Sequence, residues 1–128
     1  TENYIQRLLA QESFTTQIKE KFSITLALDK YNYYDIIALI MAYLYNEKGL
    51  STGYSADDVK TCGSKEFGIN KISSVDRDHL EIYMNEMVDL NIFRKDSDGR
   101  FMFSRQNFLQ LMGSEADVMD ALFRYSEV

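Results

Sequence analysis

The residues best suited to chemistry in this sequence are one histidine and one cysteine, and neither has the partners that catalysis requires. Nucleophilic catalysis by Cys62 or by a serine would need a histidine base and an orienting carboxylate. The one histidine, His79, stands in a strongly charged helical stretch. Cys62 lies near the end of a short helical pattern, where a cysteine usually packs as a small hydrophobe. We therefore expect no catalytic residue in this chain and no enzyme activity.

Three further patterns are typical of metal or nucleotide sites, and each fails on spacing or ligand number. Asp76 and His79 stand three residues apart, but two ligands do not complete a zinc site. The segment DSDG resembles part of an EF-hand loop, yet alignment on Gly99 puts Arg94 and Arg105 where carboxylates are required. The segment CGSKEFG lacks the spacing of a phosphate-binding P-loop. The sequence thus predicts neither a bound metal ion nor a cofactor.

Composition predicts one globular domain. The 128 residues are 45% hydrophobic and 13% aromatic, which is enough to fill a single core. With one cysteine the chain cannot form an internal disulfide, so a reducing cytoplasm is the expected setting. The longest apolar run, residues 36–45, is too short to cross a bilayer. Because the sequence opens with Thr1 rather than methionine, we interpret it as a fragment of a longer protein.

Apolar periodicity and the lack of proline predict a mainly helical chain. Residues 3–12 and 14–26 each place apolar side chains on one helical face. Residues 33–48 are apolar on nearly every side, as expected of a central helix, and Gly49 is its predicted end. The inward side chains of the second segment are predicted to be Phe14, Ile18, Phe22 and Leu26.

Three Ser-x-x-acid segments predict the starts of later helices, because in a capping box the hydroxyl and the carboxylate satisfy free amides at a helix start. The pairs are Ser55 with Asp58, Ser73 with Asp76, and Ser114 with Asp117. They predict helices over residues 55–62, 74–91 and 114–128. The second of these helices has an apolar face of Leu80, Tyr83, Met84, Met87 and Leu90. The last is predicted to turn Val118, Leu122 and Phe123 inward.

Residues 92–103 predict an antiparallel hairpin. Apolar residues stand on both sides of the turn segment KDSDG, and Gly99 takes the position that needs a positive φ. A short helix is predicted to follow and to end at Gly113. The order of three helices and a hairpin is that of a winged helix-turn-helix, whose third helix is the DNA-recognition helix.

The predicted fold class is therefore mainly α with a small β-hairpin. We expect a winged helix-turn-helix at residues 33–104 within a single domain spanning residues 1–128. A helical N-terminal extension, residues 1–32, and C-terminal helices, residues 105–128, would flank it.

Two segments resemble a module of large bacterial P-loop ATPases of the AAA or STAND type. IKEKFSITLALDKYNYYDIIALIMAYL resembles the segment that leads into the winged helix of those proteins, and GRFMFSRQNFLQLMGSEADVMDAL resembles the end of the module. The matching residues are Phe22, Leu28, Asp29, Tyr31 or Tyr33, Gly99, Phe101, Phe103, Asn107, Leu109, Gly113, Glu115 and Leu122. The resemblance implies a C-terminal accessory domain of an ATPase, used for regulation, assembly or partner sensing.

The charge of the predicted third helix argues against DNA binding. Duplex DNA carries about one phosphate charge per 1.7 Å and is bound mainly through lysine and arginine. Residues 75–93 instead carry five carboxylates and one arginine. We therefore expect this helix to contact a protein partner, or another domain of the parent chain. The candidate contact residues are Asp76, Asp78, His79, Glu81 and Glu86, with Tyr31, Tyr33 and Tyr34 as either a second contact surface or half-buried core.

A basic wing is the basis for an alternative function. Four cations fall within twelve residues in and after the hairpin, with Asp96 and Asp98 between them. They could contact a phosphate backbone, or they could belong to an ordinary solvated hairpin. The alternative function is thus DNA binding through the wing residues Arg94, Lys95, Arg100 and Arg105.

Overall fold

In the computed structural model, the described residues are Gln17, 19–29, 31–49 and 53–127. They are mainly helical, with one two-stranded antiparallel hairpin, which confirms the predicted fold class. No helix within these residues is long and apolar enough to cross a membrane. The helix predicted at residues 3–12, and the inward positions of Phe14 and Ile18, lie outside the described residues.

Helix α1 (Tyr33–Lys48) lies at the centre of the molecule, as its all-round apolar sequence predicts. Its buried residues are Ile36, Ile37, Ala38, Leu39, Ile40, Met41, Ala42, Leu44 and Tyr45. Gly49 ends the helix at φ 94°, and its N–H donates to the Tyr45 carbonyl. The helical residues 19–26 cover one side of α1 and bury Phe22 and Leu26, as predicted.

Three helical elements follow: α2 (Ala56–Thr61), a π-helical turn (Cys62–Glu66) and α3 (Asn70–Ser74). The Ser55–Asp58 capping box forms as predicted. The π-helical turn packs very closely, since a Cβ on Gly63 would lie 2.7 Å from Ile72 Cγ2 and 2.9 Å from Ile40 Cδ1. Sequence periodicity did not predict this turn or α3.

The helix predicted over residues 74–91 is shorter than expected, because the chain extends at Val75 and Asp76 before α4 (Arg77–Asp89) begins. The predicted Ser73–Asp76 capping box is therefore wrong. Asp76 caps α4 itself, accepting a hydrogen bond from the His79 N–H at 2.8 Å, as a short carboxylate in extended backbone does at a helix start. Of the predicted apolar face, three residues are buried, while Tyr83 is half-buried and Leu90 is exposed. The buried residues are Leu80, Met84 and Met87.

The hairpin forms from β1 (Phe93–Lys95) and β2 (Phe101–Phe103), with Phe93 opposite Phe103. Gly99 has a φ of 79°, as predicted. Between α1 and α2, Tyr54 exchanges two backbone hydrogen bonds of 2.8 Å with Phe101. The connection between α1 and α2 therefore acts as a third extended segment beside the hairpin.

Helix α5 (Asn107–Leu111) and helix α6 (Glu115–Ser126) complete the described chain. Helix α6 begins with the predicted Ser114–Asp117 capping box and packs against α1, where the Tyr125 hydroxyl donates to Asp35 at 2.5 Å. The inward position predicted for Phe123 is wrong, because its side chain is 48% exposed. Phe123 follows the buried Leu122 by one residue, about 100° further round the helix, and its ring contacts Phe67 at the edge of the core.

One carboxylate holds the hairpin turn together. Asp96 Oδ1 accepts from the N–H of Asp98 at 2.9 Å and of Arg100 at 3.0 Å, and its Oδ2 accepts from the Gly53 N–H at 3.2 Å. These bonds hold the pKa of Asp96 below its usual range, and the bond from the Arg100 N–H has the largest effect. Gly53 itself has no room for a side chain, since a Cβ would lie 2.9 Å from Asp96 Oδ2 and from the Phe101 carbonyl oxygen.

We expect Asp96→Ala to lower the free energy of unfolding at pH 7, because three N–H groups lose their acceptor. Since folding lowers this pKa, the stabilisation is present above the unfolded value of about 3.9 and is lost as pH falls through the lower folded value. Urea unfolding should therefore show a stability difference between wild type and variant that is constant from about pH 7 to 5 and shrinks below about pH 4. Asp98→Ala, in the same turn, should change little, and equal effects of the two variants at pH 7 would contradict this role.

Candidate interaction surface

A lysine from α2 fixes the turn from which α4 starts. Lys60 Nζ donates to the carbonyl oxygens of Ile72 at 3.1 Å, Ser73 at 3.0 Å and Val75 at 2.6 Å. The last carbonyls of a helix have no intrahelical partner, and a cation there also interacts well with the helix dipole. The single ammonium group thus stabilises the end of α3 and orients the start of α4.

The five partner-binding residues predicted from the sequence lie on the solvent side of α4 or at its start. Four of them are exposed, and Glu81 is half-buried. The exposed residues are Asp76, Asp78, His79 and Glu86. Asp78 and Glu86 are eight residues apart, with Ile82 midway between them, so the three form a line along one face of the helix. The Ile82 side chain is 55% exposed, which places an apolar group in the middle of the acidic face.

Local cations neutralise only the first part of this face. Arg77 lies 2.9 Å from Asp57, 3.6 Å from Asp78 and 3.5 Å from Glu81, and His79 Nδ1 lies 2.9 Å from Asp76. Such exposed pairs contribute little to stability and are screened by salt. Within the described ranges, no cation lies within 4 Å of the carboxylate of Glu86. The face therefore stays negative, most clearly toward the end of α4.

Three tyrosines join α1 to this acidic helix. The Tyr33 ring stacks on Tyr83 with 4.7 Å between centroids, and Tyr34 meets Tyr83 edge-on at 6.4 Å. The Tyr34 hydroxyl donates to Glu86 Oε1 at 3.1 Å. We call the four residues Tyr33, Tyr34, Tyr83 and Glu86 the tyrosine–glutamate patch. Tyr33 and Tyr34 are both half-buried, so they pack against the core and also contribute to the surface. Tyr31, the third tyrosine predicted from the sequence, is 55% exposed.

Sequence reasoning placed Tyr83 with the core and overlooked its part in the patch. The available signal was its spacing of three residues from Glu86, which puts both side chains on neighbouring positions of one helix. The two tyrosines of α1 that meet Tyr83 are about fifty residues away in sequence, so periodicity within α4 could not predict the contact.

The surroundings of the patch raise the pKa of two of its phenols, Tyr34 and Tyr83. Burial, and then the hydrogen bond and charge of Glu86, raise the pKa of Tyr34 to about 12. Burial, followed by the nearby Tyr33, Asp29 and Glu86, also raises the pKa of Tyr83. The carboxylates of Asp29 and Glu86 therefore both act on this group of rings. At neutral pH the patch presents aromatic rings and hydroxyl groups under a negative potential.

The four cations predicted for the wing are all exposed. Arg94 and Lys95 are consecutive on β1, so their side chains leave opposite faces of the strand. Lys95 Nζ lies 5.1 Å from the centre of the Phe101 ring. Arg105 follows β2 and lines a groove on another part of the surface. The cations therefore do not form one continuous strip. In the part of the chain that the structure describes, none of the four lies within 4 Å of a carboxylate.

The residues considered for chemistry are not brought together. Cys62 is buried, and this burial is the main reason that the pKa of its thiol is raised to about 12. The reactive thiolate is therefore scarce at neutral pH. His79 contacts Asp76 on the exposed start of α4. Among the described residues, no group of three or more potential metal-ligating side chains could hold an ion.

Comparison of the chain with protein-family models, curated proteins and solved structures finds no match. The resemblance to the accessory winged helix of P-loop ATPases therefore stays a prediction.

We expect Lys60→Met to lower the free energy of unfolding by about 1–2 kcal/mol, because three carbonyl groups lose a charged donor while the aliphatic stem is kept. Urea denaturation followed by circular dichroism measures this difference. Lys65→Met is the matched control, since Lys65 is an exposed lysine of the π-helical turn, and it should change stability by less than about 0.5 kcal/mol. A Lys60→Met variant as stable as the control would show that the three bonds do not orient α4.

We expect Glu86→Gln to bring the pKa of Tyr34 below its value of about 12 and toward the ordinary one, since the variant loses a negative charge next to the phenol. NMR titration of ¹³C-labelled tyrosine rings measures this, and Tyr34→Phe assigns the resonance. Glu81→Gln removes the same charge from a residue paired with Arg77 and should leave Tyr34 unchanged. An equal shift in both variants would mean that Glu86 does not contact Tyr34 in solution.

Proposed function

We propose that this chain is a non-catalytic winged-helix module that binds a basic protein surface through the outer face of α4 and the tyrosine–glutamate patch. The observation that carries the proposal is the continuity of the two surfaces. The line of Asp78, Ile82 and Glu86 leads directly into the patch, because Glu86 belongs to both. One face thus combines charge, an exposed apolar side chain and aromatic rings.

This combination suits a protein partner better than a nucleic acid. Interface cores are enriched in aromatic residues, and a few apolar or aromatic anchors usually provide most of the binding energy. Ile82 and the tyrosines are groups of this kind, while the carboxylates would steer a basic partner and fix its register. A phosphate backbone along the same face would be repelled by every carboxylate on it.

The winged-helix interpretation is supported by the order of the elements and by the extended segment at Tyr54. Helices α1, α2 and α4 precede the hairpin, with the π-helical turn and the short α3 between α2 and α4, and the connection between α1 and α2 is hydrogen-bonded to β2. In this arrangement α4 corresponds to the recognition helix. Together with the resemblance to bacterial P-loop ATPases, this favours a regulatory accessory domain of a cytoplasmic ATPase. Its basic partner would be another domain of that ATPase or a protein assembled with it.

DNA binding through the hairpin is the second candidate. One specific observation favours it: Arg94, Lys95 and Arg100 are exposed and, within the described residues, free of ion pairs. Unpaired cations are available to contact phosphates. Their placement on both faces of the hairpin and the acidity of α4 weigh against this candidate.

We expect the chain to bind a fluorescein-labelled peptide of alternating arginine and leucine with micromolar affinity at low salt, as measured by anisotropy. The double variant Asp78→Lys and Glu86→Lys should weaken this binding at least about 10-fold, because attraction becomes repulsion on both sides of Ile82. Ile82→Ser should weaken it about 3–10-fold through the loss of an apolar anchor. Binding unaffected by these changes would contradict the proposed surface.

Two controls test whether binding depends on the charge of this face or on the net charge of the chain. The double variant Asp120→Lys and Glu127→Lys makes the same change in net charge at two exposed positions, one in α6 and one just after it, and it should bind the peptide within about 3-fold of wild type. A labelled duplex of about 20 base pairs tests the second candidate under the same conditions. Micromolar duplex binding that is lost in an Arg94→Glu and Arg100→Glu variant would overturn the proposal in favour of DNA binding.

A further inference from the structure

A groove of about 600 Å³ lies between the N-terminal helical residues, the end of α4 and the exit of the hairpin. Its floor is apolar and well packed. Phe22 and Phe108 stack with 4.7 Å between their ring centroids, and both are buried, as is Ile92. Leu90, just past the end of α4, also lines the groove and keeps 37% of its surface exposed. The groove therefore offers an apolar surface that solvent can reach.

The charge of the groove is opposite to that of the molecule as a whole. Lys21 and Arg105 line it, and both are exposed. Among the described residues that line it, none is acidic, although the chain has 20 acidic and 14 basic residues. The other polar residues around it are uncharged.

The wall between the end of α4 and the hairpin is fixed by local bonds. Asn91 adopts a φ of 64°, and its N–H donates to the Val88 carbonyl at 3.0 Å. Its own carbonyl accepts a hydrogen bond from the Ser104 hydroxyl. Leu90 and Arg105 stand next to these two residues in sequence, so their backbone positions are set before any ligand binds. A preformed site of this kind loses little conformational freedom on binding.

We propose that this groove binds an acidic and apolar peptide segment of a partner protein. A carboxylate of the segment would pair with Lys21 and Arg105, and an apolar side chain would lie over Phe22 and Phe108 beside Leu90. Charge complementarity selects an anionic ligand. The apolar lining of the groove favours a ligand whose charged group is followed by an apolar side chain. A peptide that alternates acidic with large aliphatic or aromatic residues is a ligand of this kind. This site differs from the acidic face of α4 in the partner that it takes, because it requires a partner of the opposite charge.

The experiment uses the whole 128-residue chain and fluorescein-labelled peptides of about twelve residues in which glutamate alternates with leucine and phenylalanine. Anisotropy titrations should show micromolar binding of the glutamate peptide and at least 10-fold weaker binding of a peptide with lysine in place of glutamate. Lys21→Glu and Arg105→Glu should each weaken binding of the glutamate peptide at least about 5-fold, and Leu90→Asp should weaken it by a similar factor. Absence of binding at millimolar peptide, or equal binding of the two peptides, would overturn the proposal.

Arg94→Glu is the matched control, because it reverses an equally exposed arginine that does not line the groove, and it should stay within about 2-fold of wild type. Equal weakening by Arg94→Glu and Arg105→Glu would show attraction to overall charge and overturn the site. Binding of dodecanoate, but not of the peptide, would reassign the groove to a fatty acid and overturn the peptide assignment. The Asp78→Lys and Glu86→Lys double variant should still bind the glutamate peptide at the groove. A result that contradicts one of the two proposed surfaces therefore leaves the other untouched.

Discussion

Burial of the middle of α1, residues 36–42, on all its sides is the constraint on which the rest of the structure depends. A helix of this composition has no face to give to solvent, so every neighbouring element must turn an apolar side toward it. The end of α1 also fixes the hairpin: the Tyr45 hydroxyl accepts the Phe103 N–H at 3.1 Å, and the Tyr54 hydroxyl donates to the carbonyls of Leu44 and Gly49. Polar side chains of the surrounding helices are consequently directed outward.

The outward direction of the α4 acids follows from that constraint. Leu80, Met84 and Met87 are all buried, which leaves Asp78, Ile82 and Glu86 on the opposite side. A carboxylate could not replace a buried residue without a partner, since burying an unpaired charge is very unfavourable. The hairpin cations do not offset these acids, because none lies within 4 Å of a carboxylate in the described part of the chain. The negative surface is therefore a direct product of the way α4 packs.

Features set by local sequence could be predicted, and features set by distant contacts could not. The apolar run of α1, two capping boxes and the hairpin turn at Gly99 each depend on a few neighbouring residues, and all are observed. The Ser73–Asp76 capping box does not form, because a separate helix ends at Ser74 and the chain is extended at Val75 and Asp76; Lys60, thirteen residues before Ser73, donates hydrogen bonds to the carbonyls of this turn. The acidic half of the candidate surface was likewise visible in the sequence. The aromatic half of the surface, in which Tyr33 stacks on Tyr83, joins residues that are distant in sequence and meet only in the folded chain.

The dipole of α4 accounts for part of the charge on the two proposed surfaces, although Glu86 and Asp89 in the last turn of the helix oppose it. Asp76 and Asp78 stand at the start of α4, where the free N–H groups favour negative charge, and the groove with Lys21 and Arg105 lies at its end, where the free carbonyls favour positive charge. The acidic face runs along the roughly 20 Å of α4 to Glu86, one helical turn before Leu90 of the groove, so a basic partner and an acidic segment would bind next to each other. The face of α4 and the groove at its end thus give one module two adjacent surfaces of opposite charge, as a domain that links two parts of a larger assembly requires.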